Sequence, residues 1–346
     1  MSGLSRPDVV RGARELVRTC LAVTGGDRVL VLTDRRTQRL ARIILAEARA
    51  VTGAELAVVP EVADGYPRAR EEIGRALDTY EPTVTVFAAA DPGDLLAWDA
   101  TFWDHLDRLG ARHAHMPALD DIALGIGMAV DYTEVARFTL AVRERLTGCR
   151  SVRVTSATGT ELTLTCGPDR PWTPFTGLYQ CAGQGGRLPQ GEVFCTPLTA
   201  EGVLAVSVVG YPFNSECGLL AEPLLIEVAN GRAVSLRHPD RALETRLRDW
   251  LTEAPEGLRL GELALGTNRA LTTLTGNLLF DENVPGTHIA FGHPFPEFTG
   301  ADWESPVHVD MVVERPTVRA DGLTVLTEGA YTGPFPGLAA SPDLRS

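Results

Sequence analysis

Residues 25–59 read GGDRVLVLTDRRTQRLARIILAEARAVTGAELAVV, and this stretch carries the fold signal for the first half of the chain. Gly25-Gly26-Asp27 is turn chemistry. Residues 28–32, RVLVL, make the short continuous apolar run expected of a strand buried on both faces. Residues 37–50 then repeat apolar side chains at helical spacing, and 55–59 return to a strand pattern. A strand, a helix and a second strand in that order predict a crossover, hence a parallel sheet covered by helices.

The pattern extends outward in both directions. Upstream, Ser5-Arg6-Pro7-Asp8 opens a helix whose apolar face is Val9, Val10, Ala13, Leu16 and Val17. Downstream, the spacing predicts a helix through 69–77, a strand at 83–88, a helix around 95–109 and a short strand near 112–116. No GxGxxG follows residues 30–32, which argues against a dinucleotide site despite the alternation.

A helix over 131–146 links the halves, and from Ser151 the texture changes. Short β-like runs at 151–155, 161–166, 203–209 and 224–228 are punctuated by Gly, Pro and Asn, with a turn at 229–232 and one helix restored over 241–251. The fold class expected is an α/β N-terminal domain with a parallel sheet, residues 1–148, followed by a β-rich α+β domain, residues 149–346.

Composition narrows the function. A formal charge of −13 argues against nucleic acid and anionic membranes as partners. Cys20, Cys149, Cys166, Cys181, Cys195 and Cys217 form no CxxC pair, which fits reduced thiols in a cytoplasmic protein. The N-terminus lacks an apolar signal core, and no run of eighteen apolar residues occurs.

The polar residues that point to chemistry all follow Arg187. Glu192 enters an apolar strand after a Pro/Gly turn, and Glu262 begins an apolar run that ends at Gly266. Glu282 precedes the Pro285-Gly286 turn that leads to His288 on another apolar run. His308 and Asp310 stand two apart on a strand, so both project from one face and can meet one ion. Imidazoles with several carboxylates suit a divalent ion such as Zn, Co, Mn or Fe(II) rather than a thiolate-loving one. More than four ligand groups make room for two adjacent ions. His293, between Gly292 and Pro294, reads as turn chemistry or as a pocket lining.

Four segments, LPQGEVFCTP, GELALGTNRAL, TGNLLFDENVPGTHIAFG and SPVHVDMVV, occur here in the order in which the sequence resembles the aminopeptidase T family of metallopeptidases. The resemblance covers most of the C-terminal half. It implies an α/β domain, a β-rich catalytic domain and assembly as a homodimer. It further implies a two-metal site built by Glu192, Glu262, Glu282, His288, His308 and Asp310, with Glu262 bridging and Glu282 as general base. The substrate implied is a short peptide or an amino-acid amide. The family pattern has a tyrosine seven residues after the first ligand histidine, and Phe295 stands there instead. A related branch, the Fe(II) dioxygenases that open dihydroxypyridine rings, uses two His and one Asp, but carries a histidine about where Glu262 stands.

Overall fold

The computed structural model describes residues 8–91 and 94–335, without the side chains of residues 63 and 64. Two compact units divide it: residues 1–136 with 177–190, and residues 137–176 with 191–346. The helix start expected at Ser5-Arg6-Pro7 lies outside the described residues, except for Asp8, whose side chain caps the Arg11 N–H.

The first unit is the expected parallel sheet. Strands β1 (Arg28–Thr33), β2 (Gly53–Val58), β3 (Val84–Ala89) and β4 (Arg112–Pro117) alternate with helices α1 (Val9–Glu15), α2 (Gln38–Arg49), α3 (Val62–Tyr80) and α4 (Ala100–Leu109). Strand order is β2-β1-β3-β4-β8, where β8 is Gly185–Arg187. Helix α2 forms because Leu40, Ala41, Ile44, Leu45 and Ala48 recur on one face and are buried there. Leu40, Ile44 and Leu45 each contribute roughly 1.5–3 kcal/mol of burial. The short late strand β8 was not legible. Its first residue approaches β4 so closely that a Cβ on Gly185 would stand 2.9 Å from the His113 Cβ.

Strand order reverses between β1 and β3, where a sheet of this kind would take an anionic ligand against a helix N-terminus. Here the chain's own carboxylate fills that position. Asp34 is 1% exposed and accepts from the backbone N–H groups of Arg36 (2.9 Å), Thr37 (3.0 Å) and Ala90 (2.7 Å). This gives the absence of a glycine-rich phosphate motif a structural counterpart.

A second buried polar chain runs beside it. Thr85 Oγ1 meets His113 Nδ1 at 2.8 Å, His113 Nε2 meets His115 Nδ1 at 3.2 Å, and His115 Nε2 meets Asp94 Oδ1 at 2.8 Å. Arg187 pairs with the other Asp94 oxygen. Burial opposes ionisation of Asp94, but Arg187 and His115 outweigh it and hold the carboxyl below its ordinary 3.8. Burial, with His115 beside it, holds the His113 imidazole well below 6.5.

Helix α5 (Tyr132–Leu146) carries the chain across the division. The second unit is built on β5 (Ser151–Thr155), β6 (Glu161–Thr165), β7 (Thr173–Phe175), β9 (Glu192–Cys195), β10 (Thr199–Val209), β11 (Leu219–Ala229), β12 (Arg232–Arg237), β13 (Leu260–Gly266), β14 (Gly286–Gly292), β15 (His308–Val313), β16 (Thr317–Ala320), β17 (Leu323–Thr327) and β18 (Ala330–Tyr331). Its 13-stranded sheet has the path β18-β17-β16-β5-β6-β10-β15-β14-β13-β9-β7, with β11 and β12 added beside β10. The turn expected at 229–232 is a tight hairpin in which Asn230 and Gly231 both take positive φ, 52° and 70°. All six cysteines are free thiols. Among the described residues no helix is long and apolar enough to cross a membrane.

Candidate metal centre

Four neighbouring strands, β9, β13, β14 and β15, carry five of the six residues singled out in the sequence. Strand side chains alternate between faces. Val193 and Cys195, Leu263 and Leu265, Ile289 and Phe291, and Val309, Met311 and Val313 all enter the apolar core. Their alternate neighbours Glu192, Glu262, His288, His308 and Asp310 therefore share the opposite face. Register aligns Glu262 with Ala290 and Ala290 with Asp310, while His288 stands opposite Ala264. The two alanines keep that face low, which leaves room for the longer polar groups.

A phase change on β13 aims Glu262. The ladder with β14 shifts between Leu260 and Glu262, so Gly261 is the extra residue of a bulge. Leu260 and Leu263 can then both face the core although they are three apart, with Glu262 turned away from it. Glycine is required there: a Cβ would lie 2.3 Å from the Gly292 carbonyl oxygen.

The polar groups converge. His288 Nε2 is 3.3 Å from Glu192 Oε2, 3.8 Å from Glu262 Oε1 and 3.9 Å from Asp310 Oδ1. His308 Nε2 is 3.3 Å from Glu262 Oε2 and 3.2 Å from Asp310 Oδ1. His308 Nδ1 donates to the His293 carbonyl oxygen at 2.8 Å, which fixes the tautomer and turns Nε2 toward the carboxylates. His293 itself accepts the Phe295 N–H on Nδ1 at 3.1 Å, a turn-closing bond. The Phe295 ring packs on His308, with centroids 4.7 Å apart, so the residue at the family's tyrosine position sits at this site without a hydroxyl.

Glu282 is placed nearby but belongs to neither cluster of ligand atoms. It is 4% exposed at the end of the short helix Leu278–Asp281. Its backbone passes over β13 at Gly266, the register partner of Glu192, where a Cβ would stand 2.8 Å from the Glu282 carbonyl oxygen.

The donor set fits a divalent cation. Two groups, Glu192 with Glu262 and His288, and Glu262 with His308 and Asp310, each bring their ligand atoms within 4.8 Å of one another. Glu262 belongs to both. Three buried carboxylates face two imidazoles, and the chain contains no lysine. Burial disfavours a charged His288, yet Glu192, Asp310 and Glu262 outweigh it and push the imidazole up to about 10. Burial drives the Glu262 carboxyl above its ordinary 4.5. Oxygen and imidazole donors in this ratio suit Zn, Mn, Co or Fe(II).

Comparison with known proteins identifies a family and a fold. Residues 130–329 match the thermophilic metalloprotease (M29) family. Wild-type AmpT from Thermus thermophilus has a similar structure, with a TM-score of 0.68 at 18% identity over 94% of this chain and 99% of that one. The 2,5-dihydroxypyridine dioxygenase from Pseudomonas putida KT2440 is similar with a TM-score of 0.66 at 16% identity over 96% and 99% of the two chains. At these identities the likenesses show a shared fold. No curated protein matches the chain. The family match spans more than half of the sequence and includes all six candidate residues, so the chain belongs to the thermophilic metalloprotease (M29) family and is a metal-dependent peptidase.

Proposed function

We propose that the protein is an aminopeptidase that removes N-terminal residues from short peptides, using a pair of divalent ions. The observation that carries this reading is the sharing of Glu262 between two three-residue ligand groups. Glu192 and His288 would complete one site, and His308 and Asp310 the other. Ions held there supply Lewis acidity that polarises a peptide carbonyl and acidifies water near neutral pH. Glu282 takes the proton of the attacking water and returns it to the leaving amine. The His293 carbonyl holds His308 in the ligand tautomer, and the Phe295 ring screens one side of that imidazole from water. The resemblance to the aminopeptidase T family supports assembly as a homodimer, and the reduced thiols support a cytoplasmic location.

One observation favours a second reading, a mononuclear Fe(II) ring-cleaving oxygenase. His288, His308 and Asp310 alone would form the two-histidine, one-carboxylate set of such enzymes. Glu192 and Glu262 in the same cluster weigh against it.

Elemental analysis of the purified protein and of His308→Ala, with aminoacyl-amide and short-peptide cleavage measured alongside, separates the readings. Near two Zn, Co or Mn ions per chain, lowered in the variant, with Glu282→Gln cleaving about 10²–10⁴-fold more slowly at unchanged metal content, is the expected result. One oxygen-sensitive iron per chain would favour the oxygenase. No metal after reconstitution would remove both.

A further inference from the structure

The bulge that aims Glu262 and the turn that orients His308 are tied together by one side chain. Thr196 follows β9 and is 1% exposed. Its Oγ1 lies 2.7 Å from the Gly261 carbonyl oxygen and 3.1 Å from the Pro294 carbonyl oxygen. A hydroxyl has one proton to give, so the contact is a three-centre bond weighted toward Gly261. Gly261 is the extra residue of the bulge, where the strand ladder is interrupted, and the Thr196 hydroxyl supplies a donor to its carbonyl.

Each end of this bridge is one residue from the metal-ligand machinery. Gly261 precedes Glu262, and Pro294 follows His293, whose carbonyl accepts His308 Nδ1–H. The turn is bonded from its other side as well: His293 N–H donates to the Val307 carbonyl at 2.6 Å, and Thr299 Oγ1 donates to the Pro294 carbonyl at 2.8 Å. The two backbones lie side by side, since a Cβ at Gly261 would meet the His293 carbonyl oxygen at 2.8 Å.

We propose that Thr196 is a positioning residue of the metal centre, its hydroxyl holding the Glu262 bulge against the turn that sets the tautomer and direction of His308. The inference rests on the metal-site reading above and adds to it a residue that touches neither ion nor substrate. Loss of the hydroxyl leaves the buried Gly261 carbonyl without this donor and lets Glu262 and His308 shift relative to each other. Outer partners of metal ligands typically affect affinity 10- to 100-fold, and that is the scale expected here.

The test is Co²⁺ titration of chelator-treated protein, followed by the visible absorption of the bound ion, in wild type, Thr196→Val and Thr196→Ser. Thr160→Val is the control, because Thr160 is 3% exposed and also bridges backbone, at Ala205, but on strands that carry no ligand. The expected result is cobalt affinity weakened at least about tenfold in Thr196→Val with an altered spectrum, recovery in Thr196→Ser, and wild-type affinity in Thr160→Val. Should the valine variant not fold, Thr196→Ala against Thr196→Ser gives the same comparison. Wild-type affinity and spectrum in Thr196→Val, or an equal loss in Thr160→Val, would overturn the positioning role alone. Failure of the wild type to take up cobalt would overturn the metal-site reading and the positioning role together.

Discussion

Both units of this protein bury ionisable side chains, but they settle the charge differently. In the first unit Asp94 is matched to Arg187 and His115, and Asp34 is met by three backbone N–H groups. The hydrogen bonds run without a break from Thr85 through His113 and His115 to Asp94. Such a network gives the Asp94 carboxylate a cation of its own in Arg187. In the second unit Glu192, Glu262 and Asp310 crowd around two imidazoles, their charge raises the His288 imidazole, and burial raises the Glu262 carboxyl. Burial of titratable groups is therefore not by itself the mark of a working site.

This contrast can be broken by exchanging one carboxylate for its amide in each unit. Asp94→Asn leaves Arg187 facing a neutral partner and should lower stability by about 3 kcal/mol in denaturant unfolding. Glu262→Gln in chelator-treated protein should act in the opposite direction, raising stability by about 1 kcal/mol while metal uptake is lost. Equal losses from both changes would refute the difference in charge balance.

The response to pH sharpens it. Asp94 has a folded-state pKa below its unfolded 3.8, so its contribution is present above that pH and lost as pH falls through the lower folded value. His288 in chelated protein has a raised pKa, so its contribution is complete below 6.5 and lost as pH rises toward about 10. Stability of chelated Asp94→Asn should thus be flatter than wild type on the acid side, and that of His288→Gln flatter on the alkaline side. A common slope in both variants would contradict this assignment. The smallest effect belongs to an exposed pair: Arg153→Ala removes the ion pair with Glu161, whose side chains are 57% and 62% exposed, and should change stability by less than about 0.5 kcal/mol. A larger change would mean that surface charge matters as much here as buried charge.

Much of this was legible residue by residue. The helical and strand periods around Arg28–Thr33 and Gln38–Arg49 follow from local spacing, as does the one-face placement of His308 and Asp310. The ligand types, carboxylate and imidazole, were equally visible in Glu192, Glu262, His288, His308 and Asp310. The His113–His115–Asp94 chain is not among the residues singled out above, although two histidines spaced two apart on a predicted strand are a signal of the same kind as His308 and Asp310. What showed that chain to be internally paired was Arg187, which lies far along the sequence and returns on β8.

Sequence by itself determined the elements, the turn chemistry and the kind of donor atoms available. Tertiary structure alone decided that β9, β13, β14 and β15 would be neighbours, that Gly261 would shift the phase of β13, and that Glu262 would stand between two clusters of ligand-type side chains. The reason is that strand register is a non-local choice. Slipping one strand by a single residue would turn its carboxylates into the core and its leucines toward the site, and only the packed sheet removes that alternative.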